Sequence, residues 1–325
     1  MIRYLARRLA FALFLVIAVS SAALMLARLA PGDFVTQSIG TRAGRETIEQ
    51  ARARYGLNKS IGAQYRDWLA AAVRLDFGHS MEYDRPVREL IPERAANTAV
   101  LAITALVCAT LIGLPLGVVT GSRRGGALTN VIRAASVVLL SMPPLLTSLF
   151  LVFVAARTGW LPIAGMRSAT VPEQGAFVDL LRHLVVPAAA IALPLAAMLE
   201  RLQAQAMSEV IDEPFVLATL ARGVPRSRIV WRGALKAALK PIAAVYGLVI
   251  GTLLSGSFAV EVISAWPGLA TLMLGALRTR DIYLVAGCAG AGALFLGFGT
   301  LCSDVALAFV DPRAAESGPE GRGRG

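Results

Sequence analysis

The sequence predicts an all-α polytopic membrane protein with six transmembrane helices. Hydrophobic residues make up 56% of the 325 positions and charged residues only 16%, and the mean hydropathy is +0.64. The apolar residues gather into repeated runs of about 18 residues or more, which soluble domains rarely carry. Neither strand alternation nor a repeat-protein period stands out, so the expected architecture is a helix bundle in a bilayer. A net charge of +11 would otherwise raise nucleic-acid binding. Here the basic residues flank the apolar runs, where they act as an orientation signal, and no basic groove interleaved with aromatics is present.

Arg3, Arg7 and Arg8 precede an apolar run from about Leu9 to Leu29. A cleaved signal peptide is the rival reading, but its apolar region would exceed the usual ~7–15 residues, and Pro31, Gly32 and Asp33 follow directly. Residues 1–30 are therefore read as an uncleaved first span entering from the cytosol. Residues 31–94 form an extracytoplasmic segment with nearly balanced charge. Within it Ile48 to Tyr55 and Gln64 to Val73 are expected to be helical, and Gly78, Pro86 and Pro92 mark turns. Long loops cross the membrane whatever their charge, so its arginines do not oppose that location.

The core, 95–313, holds the other five spans. The second runs from about Ala95 to Val119, and Gly113, Gly117 and Gly121 recur at four-residue spacing, which places small residues on one face for close helix approach. Arg123, Arg124 and Arg133 mark a cytosolic turn. The third span, about Val131 to Ala155, carries Ser141 and a break at Pro143-Pro144, tolerated in lipid where neighbours satisfy the freed backbone. The fourth, about Leu184 to Leu199, contains Pro187 and Pro194, and a cytosolic loop at 200–241 follows. The fifth, about Ile242 to Ile263, repeats the small-residue spacing at Gly247, Gly251 and Ser255. The sixth, about Tyr283 to Leu307, is Gly-rich, and 314–325 is expected to be a disordered cytosolic tail. Both termini then lie inside.

Chemistry is sparse. GxxxxGK[ST], HExxH and GxSxG patterns are absent. Cys108, Cys288 and Cys302 fall inside apolar runs without metal-ligand spacing, and His79 and His183 belong to no His-Glu motif. No catalytic residue, metal site or cofactor is expected. Broken spans with small-residue faces suit a conduit, and the candidate translocation-path residues are Ser141, Thr252, Ser255, Ser257 and Glu261, with Asp304 weaker. Ionisable residues in spans are functional suspects, though at span ends they reach water. Composition leaves ATP-driven transporter, secondary transporter and channel open, and the lack of a buried charge pair argues against proton or sodium coupling.

The loop at 200–241 carries the sharpest signal. Phe215 to Pro241 reads as a short helix, a break at Gly223, Val224 and Pro225, and a basic helix returning to the bilayer. Arg228, Arg232, Lys236 and Lys240 recur every four residues and form a basic stripe on that second helix. Like charges at this spacing repel mildly, so something anionic offsets them: lipid headgroups, or an acidic partner surface.

At these residues the chain resembles the inner-membrane permease subunits of the dipeptide, oligopeptide and nickel ABC importers. The resemblance rests on VEVISAWPGLATLMLGALRTRD and the closing DPR within Phe258 to Arg313, and on ARG followed by RGALKAALKP. It also rests on RYLARRL, APGD, YGLNKSIGAQYRDWL, LDFGHS, RPVRELIPER and GWLPIAG. It implies an importer permease in the bacterial inner membrane, moving a peptide or related small solute. The implied partners are a second, similar permease, two ATP-binding subunits that hydrolyse ATP, and an extracytoplasmic solute-binding protein. It further implies that Phe215, Ala218, Thr219, Ala221, Arg222, Gly223 and Pro225 belong to a coupling helix seated in a groove of the ATPase. Where the family shows Arg-Thr-Ala-Arg-Ala, this chain has Leu217, Ala218, Thr219, Leu220 and Ala221, and Ala204 replaces another arginine. Its coupling helix is thus more apolar. The alternative to an importer permease is a secondary transporter or channel working alone.

Overall fold

The computed structural model describes residues 2–38, 45–74, 76–123, 125–168 and 175–310. Among the described residues it is helical apart from turns, loops and one hairpin of two-residue strands. In chain order the elements are α1 (Ile2–Leu29), α2 (Phe34–Ser38), α3 (Arg45–Arg54), α4 (Ile61–Ala72), β1 (His79–Ser80), β2 (Arg85–Pro86) and α5 (Val87–Ser122). Then come α6 (Ala127–Ser141), α7 (Pro144–Thr158), α8 (Ala176–Val210), α9 (Pro214–Ala221) and α10 (Arg226–Arg228). A π-helical turn (Ile229–Ala234), α11 (Leu235–Ile263), α12 (Leu269–Thr279) and α13 (Ile282–Val310) follow.

Four described helices are long and apolar enough to cross a bilayer: Ala6–Leu29, Val87–Ser122, Ala176–Val210 and Ile282–Cys302. These contain the first, second, fourth and most of the sixth expected spans. The fifth lies in α11, which runs 29 residues. The third is not a straight span. It is two 15-residue helices bent by 106°, and each is only about 22 Å long at ~1.5 Å per residue. The cause is local. A residue before proline is pushed out of the α region, and both Met142 (ψ 114°) and Pro143 (ψ 147°) precede one. Pro144 then restarts the chain at the first position of α7, where no amide is needed. The Pro143 carbonyl, at the cap of α7, accepts the amide and hydroxyl of Thr147.

A second difference concerns the loop at 200–241. Its first eleven residues are helical, because α8 continues to Val210. Leu202, Ala206, Met207 and Val210 keep the helical apolar spacing there and pack in one cluster.

The chain forms two packing units, with boundaries inside α5 and α13: one comprises residues to Val100 and Ala265–Phe298, the other Leu101–Ser264 and the end of α13 from Gly299. In the first unit, α2 and the hairpin bury Val35, Leu57 and Met81 with Ile282. Asp281, fully buried, fixes the hairpin turn. Its Oδ2 accepts from Ser80 Oγ at 2.6 Å, the Met81 amide at 2.7 Å and the Glu82 amide at 3.2 Å, while Oδ1 accepts the Leu284 amide at 3.1 Å. Trp266, also fully buried, donates from Nε1 to the Asn97 carbonyl, and Asn97 Nδ2 donates to the Pro267 carbonyl. These bonds seat the start of α12 on α5. The segment between the fifth and sixth expected spans, Ser264 to Asp281, contains this apolar helix.

In the second unit α8 is the central element, packed against α6, α7 and α11. The glycine face of α5 also meets it. A Cβ on Gly113, Gly117 or Gly121 would lie 2.4–2.6 Å from the carbonyls of Ala196, Glu200 and Ala204. The three carbonyls step along α8 at the same four-residue spacing as the glycines, so the two backbones touch along two turns. The expected tail at 314–325 lies outside the described residues.

Candidate functional site

The break expected after α9 is present and its hydrogen bonding explains it. Pro214 opens α9 at a position that needs no donor. At the other end Gly223 takes φ +78°. Its amide donates to the Leu220 carbonyl at 2.9 Å and the Val224 amide donates to the Thr219 carbonyl at 3.4 Å. With Arg222 as the last half-helical residue, this pair of bonds is the Schellman motif. Val224 then tucks into the apolar cluster that also holds Val216, which fixes the turn. Pro225 starts the next helix, its carbonyl accepting the amides of Arg228 and Ile229.

The cluster beneath α9 consists of Val118, Met207, Val216, Ile229, Val230, Ala234 and neighbours from α5, α8 and α11. Only Val216 of α9 is deeply buried, at 1% exposure. Phe215, Leu217 and Leu220 are 46%, 57% and 39% exposed, and Ala218, Ala221, Arg222, Gly223 and Pro225 are exposed as well. Thr219 is half-buried, its hydroxyl bonded to the Phe215 carbonyl at 2.6 Å. Six of the seven expected coupling residues are thus exposed and Thr219 is half-buried, on a packed base.

Beyond Pro225 the basic stripe is real. Arg228, Arg232, Lys236 and Lys240 are exposed, and Val230, Ala234, Ala238 and Ile242 line the buried side at the same spacing. The π-helical turn was not legible from the spacing. There the Leu235 amide bonds to the Val230 carbonyl, one residue further back than in an α-helix.

The candidate path residues do not form one group. Ser141 is exposed at the end of α6 and bonds back to the Val137 carbonyl. Ser257 and Glu261, one turn apart on α11, are buried at 3% and 0% exposure and both engage partners. The side chains of Thr252, Ser255 and Asp304 lie outside the described ones.

One polar group escaped the sequence reading. Glu200 is 1% exposed and its Oε1 accepts the Thr120 hydroxyl at 2.5 Å. The Thr120 carbonyl in turn accepts Arg133 Nη2 at 3.1 Å. One turn along α8, Gln203 is fully buried, and neither polar atom of its amide has a partner among the described residues. Glu200 sits just past the end expected for the fourth span, where a charge reads as solvated, so only the continuation of α8 reveals its burial.

Residues 113–316 match the family described as "Binding-protein-dependent transport system inner membrane component", and residues 1–102 match that family's N-terminal region. The oligopeptide transport system permease protein AppB of Bacillus subtilis (strain 168) is 30% identical over 315 residues, covering 96% of this chain and 99% of the relative. A putative peptide permease protein of Brucella suis is 30% identical over 320 residues, with the same coverage. The dipeptide transport system permease protein DppB of Escherichia coli (strain K12) is 28% identical over 334 residues, covering 96% and 98%.

Proposed function

The chain belongs to the inner-membrane components of binding-protein-dependent transport systems, and from that premise we propose that it is the permease subunit of an ATP-driven importer of peptides. The relatives of nearly equal length named as oligopeptide and dipeptide permeases support the cargo class. The chain supplies half of the translocation path, and a second, similar permease supplies the other half. In this reading six spans leave both termini in the cytosol, with α9 on the cytosolic side and the 31–94 segment outside, facing a solute-binding protein. ATP hydrolysis belongs to two separate subunits.

The observation that carries the coupling role is the exposure pattern of α9. Val216 anchors it, while Leu217, Ala218, Leu220 and Ala221 face away from the cluster. An apolar helix face on a rigid base fits helix-in-groove recognition. Closure of the ATPase pair then moves α9, and through its cluster the ends of α5, α8 and α11. Coupling of this kind requires contacts that differ between two states.

Co-purification from native membranes tests the assembly. An ATPase pair, a second permease and a peptide-binding protein are expected to accompany the chain. Gradient-driven uptake by the chain alone in liposomes would overturn the reading.

A further inference from the structure

A cavity of about 240 Å³ lies between α6 and α8, lined by Arg133, Val137, Glu200, Arg201 and Ala204. Arg133, Val137 and Arg201 are exposed whereas Glu200 is 1% exposed, so the cavity runs from two arginines at its mouth to a buried carboxylate. Glu200 and Arg201 directly follow the end expected for the fourth span, and Arg133 lies at the start of the third. In the orientation proposed above, the cavity is therefore at the cytosolic end of the path.

Opposite charges that share one cavity are expected to pair, and here they do not. Glu200 Oε2 is buried without a hydrogen-bond partner among the described residues. Thr120, in the last turn of α5, holds the two sides in place. Its hydroxyl donates to Glu200 Oε1 at 2.5 Å, and its carbonyl accepts Arg133 Nη2 at 3.1 Å. A guanidinium carries five N–H donors, so this one bond fixes Arg133 and leaves donors for a ligand. A buried carboxylate without a partner is costly, and a cationic group brought in by a ligand offsets that cost.

We infer that this cavity binds a short peptide by both of its charged ends, the terminal carboxylate on Arg133 and Arg201 and the terminal ammonium on Glu200. Guanidiniums match a carboxylate through charge-assisted, paired hydrogen bonds, and the ammonium supplies the donor that Oε2 lacks. Rotation about the soft terminal torsion of Glu200 presents that oxygen to it. The volume falls just below the ~300–1,000 Å³ usual for small-molecule sites, which suits a dipeptide. Val137 and Ala204 add only apolar side chains to the lining, so the site reads the termini that all linear peptides share and not their sequence. The peptide class rests on the proposed function, whereas the demand for a ligand of both charges rests on the cavity.

The test is equilibrium binding of radiolabelled dialanine to the chain purified with its membrane partners, in nanodiscs and without any solute-binding protein. The wild type is expected to bind dialanine about tenfold tighter than N-acetyl-dialanine or dialanine amide, because each cap removes a charge-assisted bond. Glu200→Gln, which keeps an acceptor for Thr120, is expected to lose the preference over the acetylated peptide and keep the preference over the amide. Arg201→Gln is expected to show the reverse split, which a loss of folding would not produce. Equal binding of the three peptides by the wild type, or an unchanged preference in Glu200→Gln, would overturn the inference. Free alanine binding as tightly as dialanine would overturn it in favour of an amino-acid site. Failure here leaves ATP-driven peptide uptake by the complete importer standing, and a complex that binds dialanine but shows no such uptake would leave this site standing.

Discussion

The backbone of Gly117 lies against the carbonyl of Glu200 so closely that a Cβ on Gly117 would sit 2.6 Å from that oxygen. A flexible side chain could move aside, but a helical carbonyl cannot without shifting α8. Gly117→Ala is therefore expected to lower thermal stability in detergent, by an amount corresponding to the ~1–3 kcal/mol typical of overpacking. Gly233→Ala, where an added Cβ meets nothing within 4 Å, is the control. It is expected to be neutral or slightly stabilising, and equal losses in both variants would contradict the assigned contact.

The same crossing buries Glu200, whose Oε1 accepts the Thr120 hydroxyl. Glu200→Gln keeps an acceptor of the same shape and is expected to leave thermal stability within about 0.5 kcal/mol of wild type. Glu200→Ala leaves the buried Thr120 hydroxyl only its long bond to the Gly117 carbonyl at 3.4 Å, at a cost of about 1–3 kcal/mol. Equal stability of the two variants would contradict the bond.

Asp281 offers its two oxygens to four donors. Asn at this position would turn an amide N–H₂ toward one set of them. Asp281→Asn is expected to loosen the hairpin at 79–86, seen as faster proteolysis of that segment and a lower melting temperature. An unchanged cleavage pattern would show that the hairpin is held by other contacts.

Asp33 lies between α1 and α2, outside the spans. Burial pushes its carboxyl up, but the hydroxyl and amide of Thr36 and the guanidinium of Arg52 together outweigh that and hold it below the usual range. A depressed pKa contributes stability that is present above the unfolded-state value, near 4, and is lost as pH falls through the folded one. Asp33→Asn is thus expected to lower the melting temperature at pH 7 and to differ less from wild type as pH drops below about 4. A pH-independent difference would contradict the assignment.

The sequence made some of this legible and hid the rest for physical reasons. The end of α1 at Leu29 follows from apolar length, and the glycine face at 113, 117 and 121 follows from helical spacing. Its partner, α8, does not, because spacing on one helix carries no address of another. The break at Pro143 was readable from proline stereochemistry, whereas the 106° bend depends on two successive extended residues. Strands of two residues are too short for alternation to register. In α9 the stop at Gly223 was plain from Gly and Pro, yet that Val216 faces inward and Leu217 outward required the cluster beneath them.

Gly223 is the turn on which coupling through α9 depends. Its φ of +78° suits Gly, and Asn tolerates it, but a β-branched residue does not. Space is not the obstacle, since an added Cβ meets no atom within 4 Å. The decisive measurement is ATP-driven peptide uptake by the complete importer carrying Gly223→Val or Gly223→Asn, with assembly monitored by co-purification. Gly223→Val is expected to assemble but lose uptake, while Gly223→Asn is expected to retain most of it. Uptake at the wild-type rate in assembled Gly223→Val would contradict the claim that this turn transmits ATPase closure to the membrane helices.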